Sequence, residues 1–359
     1  MNMAFIVYLP ALILLIGLPL LGLAVAGKPI LPYLAFPPSL GNVDHTLFSW
    51  PIFFCYVLFI LCGIAFILLL YHSPSRSGSK ITLKPSSFPW WGWIGIALMS
   101  ITWCLAWTRF SWFRPFQTDT FTPLWLGYII AMNGWTFARK GSSLLTNQRK
   151  TLLLLFPLSA FFWWFFEYLN RFVENWSYTG ASFQAWAYFW RATISFSTVL
   201  PAFASTREWL ITWPHLIGGY GQTLSIRCRR PQRAAWIILL LSLAGLLGIG
   251  IWPNALFPLL WISPLLLILS LQTLFRKRHL FSAVSRGDWR IPISSALAAF
   301  MCGIFWEMWN YLSLAKWAYH VPFVHGFEVF EMPILGYAGY FPFGLECAVL
   351  VSWVGVRTE

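Results

Sequence analysis

Two short stretches carry the residues of this chain best suited to chemistry. Phe165-Phe166-Glu167-Tyr168-Leu169-Asn170 is followed by Trp176-Ser177-Tyr178, and Phe305-Trp306-Glu307-Met308-Trp309-Asn310 by Trp317-Ala318-Tyr319. Both read aromatic-Glu-x-x-Asn, then Trp-x-Tyr six or seven residues past the Asn. Positions i and i+3 share a helix face, so each stretch presents a carboxylate and an amide side by side. Two such faces meeting would enclose a polar pocket among aromatics, where Glu167 and Glu307 suit general acid chemistry and Asn170 and Asn310 would orient them. Trp176, Tyr178, Trp317 and Tyr319 would line an apolar slot, with Arg191 as a further substrate contact. The competing reading is structural: Glu-x-x-Asn caps each helix end and locks the loop that follows.

A third carboxylate, Glu331, lies in the segment after the second stretch, where Phe330-Glu331-Met332-Pro333-Ile334-Leu335 parallels Phe196-Ser197-Thr198-Val199-Leu200-Pro201. Glu331 is expected to join Glu307 in the pocket. Glu346 lies fifteen positions further on, about 22 Å along a helix at ~1.5 Å per residue, and so needs a separate partner. His320, His325, Glu328 and Glu331 form His-x4-His-x2-Glu-x2-Glu, a weak set of nitrogen and oxygen ligands for a divalent ion. It matches no standard zinc motif, and neither a metal nor a cofactor is expected.

The elements that must position these groups are membrane helices. The chain has 359 residues, 58% hydrophobic and only 10% charged, too little polar material to cover a water-facing surface. Its 24 Trp suit helix ends in the interfacial belt of a bilayer. The net charge of +13 reads as loops facing anionic lipid headgroups, with no nucleic-acid partner expected. The six cysteines form no disulfide framework or CxxC metal site.

Apolar runs predict about ten transmembrane helices, near 4–26, 51–71, 90–107, 122–138, 152–170, 187–211, 235–251, 255–274, 292–310 and 330–353. The first is expected to be a retained helix rather than a cleaved leader, because no Lys or Arg precedes it. Every second loop is basic: Arg76, Lys80 and Lys84; Arg139, Lys140, Arg149 and Lys150; Arg227, Arg229, Arg230 and Arg233; Arg276, Lys277, Arg278, Arg286 and Arg290. That alternation predicts an inner (plasma) membrane protein with both termini cytoplasmic. The fold class is therefore all-α: a polytopic helical membrane protein, one integral domain over 1–359 with no soluble domain. Spans five and six echo spans nine and ten, and an even number of crossings separates the copies, so the repeat is parallel.

Trp317-x-Tyr319 followed by Phe330-Glu331-Met332-Pro333 resembles the membrane carotenoid (lycopene) cyclases, in which a repeated helical pair carries a Trp/Tyr loop and then a carboxylate near a proline. The resemblance covers about 171–210 and 311–350, and implies carboxylates that protonate a polyene. This chain lacks the tandem acid after the proline, and Ser197 stands in the first copy where Glu331 stands in the second. As a whole the chain is more similar to an uncharacterised bacterial multi-span membrane protein family. The expected function is a membrane-embedded enzyme acting on a lipid or isoprenoid substrate by proton transfer from Glu307, Glu331 or Glu167. A transporter or channel with a polar path between the repeats is the second reading, and a non-catalytic scaffold or assembly protein the third.

Overall fold

The computed structural model describes residues 3–38, 40–72 and 83–355. Arg76, Lys80 and Glu359 lie outside them, so the basic character of the 73–82 loop rests on sequence alone. The molecule is all-helical. In chain order the α-helices are α1 (Met3–Val25), α2 (Leu31–Leu34), α3 (Trp50–His72), α4 (Trp90–Trp107), α5 (Phe121–Lys140), α6 (Leu144–Asn147), α7 (Arg149–Val173) and α8 (Ala185–Phe196). They continue with α9 (Val199–Ile211), α10 (Pro214–Ile217), α11 (Pro231–Ile251), α12 (Pro253–Leu256), α13 (Leu259–Leu274), α14 (Arg290–Tyr311) and α15 (Tyr340–Trp353). The described residues also hold four short strands: β1 (Trp176–Thr179), β2 (Lys316–Tyr319), β3 (Glu328–Val329) and β4 (Met332–Pro333).

Among the described residues, six helical segments are long and apolar enough to cross a membrane: α3, α4, α7, α11, α14 and Ile334–Trp353. Leu9–Val25 and α13 are shorter apolar helices. Every apolar run of the sequence is occupied by helix, but two runs are broken where the sequence suggested continuity. Residues 187–211 split at Ser197-Thr198 into α8 and α9. Pro201 cannot donate to the carbonyl four residues earlier, so the helix opens there. The Ser159 hydroxyl of α7 fills the gap, donating to Phe196 O at 2.5 Å and accepting from Leu200 N at 3.0 Å.

The second break concerns the site directly. The run 330–353 was expected to be helical throughout, yet α15 begins only at Tyr340, after a 3₁₀ turn over Ile334–Gly339. Glu328 and Val329 instead pair antiparallel with Pro333 and Met332. Phe330 takes a positive φ of 58°, and Glu331 sits at the tip of this hairpin rather than on a helix. Pro333 supplies no N–H for a helix ladder, and Phe330 has left the right-handed region.

The main core is shared by α1, α5, α7, α9, α11, α13, α14 and α15. Small residues set the closest approaches. A Cβ on Gly95 of α4 would sit 2.6 Å from Ala131 N of α5, and one on Gly127 of α5 would sit 2.6 Å from Met99 N, so these two backbones touch. Gly344 of α15 meets Ser295 of α14 in the same way, at 2.3 Å from its carbonyl oxygen. In contrast, α3 has an almost fully exposed hydrophobic surface.

Candidate functional site

The two Trp-x-Tyr segments form one ribbon. Strand β1 pairs antiparallel with β2, setting Trp176 against Tyr319, Ser177 against Ala318 and Tyr178 against Trp317. Each tryptophan thus faces the other stretch's tyrosine, and the ribbon bridges the ends of α7 and α14 from which it springs.

The asparagines build that ribbon. Asn170 Nδ2 donates to Trp176 O at 2.8 Å, and Asn170 Oδ1 accepts from Trp176 N at 3.3 Å. Asn310 repeats the arrangement on Trp317, at 2.7 Å and 2.9 Å. An amide matches the peptide unit edge to edge, donor to acceptor, so each Asn fixes the start of its strand. These side chains therefore hold backbone, whereas the sequence reading had them orienting the carboxylates.

The glutamates take the aromatic hydrogens. Glu167 is 3% exposed. Its Oε1 accepts from Tyr178 Oη at 2.6 Å and from the indoles of Trp176 and Trp163, each at 3.0 Å. Glu307 is 0% exposed, and its Oε1 accepts from Tyr319 Oη at 2.7 Å and Tyr340 Oη at 2.5 Å. The Trp317 indole donates to Tyr319 Oη at 2.9 Å, one bond removed from the carboxylate. Oε2 of Glu307 has no hydrogen-bond partner among the described residues.

The difference between the two clusters has a local origin. Trp163 stands one helical turn before Glu167; the same position before Glu307 is Gly303. The space that Gly303 leaves is filled by Tyr340 of α15, whose ring carbons lie 2.4 Å from where a Cβ would be. A donor from the same helix is thereby exchanged for one from a neighbour. Aromatic rings join the clusters: Trp163 lies 6.4 Å from Trp306, which stacks on Tyr340 at 6.0 Å. Phe343 contacts both indoles, at 5.8 Å from Trp163 and 6.1 Å from Trp306.

No family model, curated protein or solved structure matches this chain.

Other residues singled out by sequence make contacts of their own around or away from this centre. Glu331 is ion-paired with Lys316, the residue that opens β2. Arg191 is exposed and bound to Asp119 at 2.7 Å, with its guanidinium 4.6 Å from the Phe183 ring. It is therefore removed from the buried carboxylates, because a partner at the end of the 3₁₀ segment Ser111–Asp119 captures its charge at the surface. His325 pairs with Glu328 at 3.5 Å, whereas His320 contacts Ser177 Oγ at 2.9 Å. Among the described residues, no three of His, Cys, Asp and Glu come together as a metal site.

Two further carboxylates do specific work. Glu346 accepts from Leu265 N at 3.2 Å, just past Pro264 inside α13, so its partner is that helix's backbone rather than the outer pocket. Glu174 is buried as well. Its oxygens accept from Gly41 N and Asn42 N, each at 3.0 Å, and from Asn42 Nδ2 at 3.0 Å. Nothing in the local sequence connects 41–42 with 174. The sole local signal for Tyr340 was a tyrosine near the start of the last apolar run.

Proposed function

We propose that this chain is a ten-span helical protein of the inner (plasma) membrane with both termini cytoplasmic, built on a parallel repeat, and that it acts on a lipid or isoprenoid substrate by proton transfer from Glu307. Helices occupying all ten apolar runs support the span count. Basic loops at every second turn of the chain support the orientation. Matching Asn clamps and the Trp-x-Tyr ribbon support the repeat. Reporter fusions at Gly141 and Pro231 should report cytoplasm and fusions at Gly41 and Gly180 the far side; any one reversed breaks this topology.

The observation that carries the chemistry is the asymmetry between the glutamates. Both glutamates take all their bonds on Oε1, three donors for Glu167 and two for Glu307, but of the two only Glu307 has an Oε2 that is buried without a partner among the described residues. A proton carried on Oε2 of Glu307 has no protein acceptor competing for it. When it passes to a substrate double bond, a C–H bond forms and the carboxylate left behind is already held by Tyr319 and Tyr340. The faces of Trp306 and Tyr340 can then stabilise a carbocation. In this reading Glu167 positions the ribbon, and Glu331, tied to Lys316, takes no part in proton transfer.

Lipid and isoprenoid extracts of cells expressing the wild type, Glu307→Gln, Glu167→Gln or no protein test the assignment. A species present with the wild type and Glu167→Gln, and absent with Glu307→Gln at equal protein level, is the expected result. Identical extracts from all four would remove the enzyme reading. The scaffold reading has its own support, since two of the three donors to Glu167, Trp176 and Tyr178, tie helix to ribbon; it predicts unchanged extracts together with loss of thermal stability in both variants.

A further inference from the structure

The α11 and α13 ends opposite the ribbon enclose a cleft of about 630 Å³, lined by Arg230, Gln232, Arg233, Thr273, Arg276, Lys277 and His279. No carboxylate lines it, and among the described residues none pairs with Arg230, Arg233 or Arg276. Lys140, Arg191, Arg290 and Lys316 are each ion-paired with an acid, and none of these lines the cleft. We propose that this cleft is a binding site for a phosphate-bearing anion, held by Arg230, Arg233 and Arg276.

Three features of the cleft support this. Its volume falls in the range of sites for small ligands, roughly 300–1,000 Å³. It opens at the start of α11, where Pro231 occupies the first turn and no side chain caps the helix. The N–H groups of that turn have no intrahelical acceptor, and they add to the arginines around the cleft. The third feature is Arg276, which follows the last turn of α13 with φ at 54°, a conformation that favours glycine. Its N–H bonds Thr273 O at 3.0 Å and the next N–H, of Lys277, bonds Gln272 O at 2.7 Å, closing the helix as a glycine would. An arginine at this position gives up backbone ease and places a guanidinium at the cleft, where a planar fork matches phosphate oxygens. His279 has Nδ1 engaged by Phe281 N at 3.2 Å, so in the neutral ring Nε2 is the donor.

The phosphate could belong to a lipid headgroup or to a soluble compound, and the test separates them. The full-length protein is purified in neutral detergent, and its thermal midpoint is followed on adding inorganic phosphate. It is then followed in nanodiscs of phosphatidylcholine alone and with phosphatidic acid. The variants are Arg276→Gly, Arg233→Gln and, as a control of equal charge loss outside the cleft, Arg227→Gln, whose guanidinium rests on Ser285 O at 3.1 Å. Stabilisation by one of the two probes is expected in the wild type and in Arg227→Gln. Arg276→Gly and Arg233→Gln should each bind about fivefold more weakly, the usual effect of one basic residue beside an anionic surface. Because glycine suits the backbone of residue 276, that variant should fold at least as well without the anion. A response to phosphate assigns a soluble ligand, and a response to phosphatidic acid alone assigns a headgroup. No response, or equal weakening in Arg227→Gln, overturns the site in favour of diffuse surface charge.

Discussion

Gly303→Ala should dislodge Tyr340 from Glu307, and the structure sets the scale of the effect. An added Cβ would lie 2.4 Å from two carbons of the Tyr340 ring and 2.6 Å from a third. Carbon atoms pack at about 3.5–4.0 Å, so the ring or the helix must move by roughly 1 Å. The ring has little freedom to do so, being stacked against Trp306 at 6.0 Å and lying 6.2 Å from Tyr337. A shift of that size stretches the 2.5 Å bond to Glu307 out of hydrogen-bonding range. Losing a bond to a carboxyl group costs about 1.5–3 kcal/mol, and overpacking adds about 1–3 kcal/mol. Gly303→Ala is therefore expected to destabilise by about 2.5–6 kcal/mol, and Tyr340→Phe, which removes only the hydroxyl, by about 1.5–3 kcal/mol. The hydrogen bond can be lost only once, so the double variant should fall short of additivity by about 1.5–3 kcal/mol. Equilibrium unfolding in lipid–detergent micelles measures all three. Additivity to within about 0.5 kcal/mol, or a neutral Gly303→Ala, would refute the idea that Gly303 exists to seat Tyr340.

Further outcomes follow from the same geometry. Asn170→Ala and Asn310→Ala each orphan the backbone of a ribbon tryptophan, and each should cost about 1–3 kcal/mol in the same unfolding assay. Gly180→Ala should be worse, because a Cβ there would meet Leu314 O at 1.7 Å at a φ of 79°; purification yield and melting midpoint should both drop sharply. Glu346→Gln keeps an acceptor for Leu265 N and should be nearly neutral, whereas Glu346→Leu leaves that N–H unpaired and should cost about 1–3 kcal/mol by unfolding. Burial works to raise the carboxyl pKa of Asp288, but its bonds to the Arg290 side chain and N–H, and the Arg290 and Arg286 charges, outweigh it and hold the group below its ordinary 3.8. A depressed carboxyl pKa stabilises the fold above 3.8 and loses that contribution as pH falls through the folded value. The stability gap between wild type and Asp288→Asn should accordingly be constant at neutral pH and close only in that acid range.

The sequence by itself determined which segments are helical, because a run of about twenty apolar residues leaves the backbone few ways to satisfy its polar groups away from water. It also displayed Glu167 with Trp176-x-Tyr178 and Glu307 with Trp317-x-Tyr319 in stretches of matching residue type and spacing. What those groups bind to was decided by tertiary structure. Glu-x-x-Asn places two side chains on one face but does not say whether the amide turns to the carboxylate or to the strand beyond it; Asn170 and Asn310 turn to the strand. The partner of Glu331 is fifteen residues away in strand β2, and that of Arg191 is seventy-two away. Tyr340 reaches Glu307 from another helix because Gly303 leaves a hole there, and a hole is a property of packed surfaces rather than of any one segment.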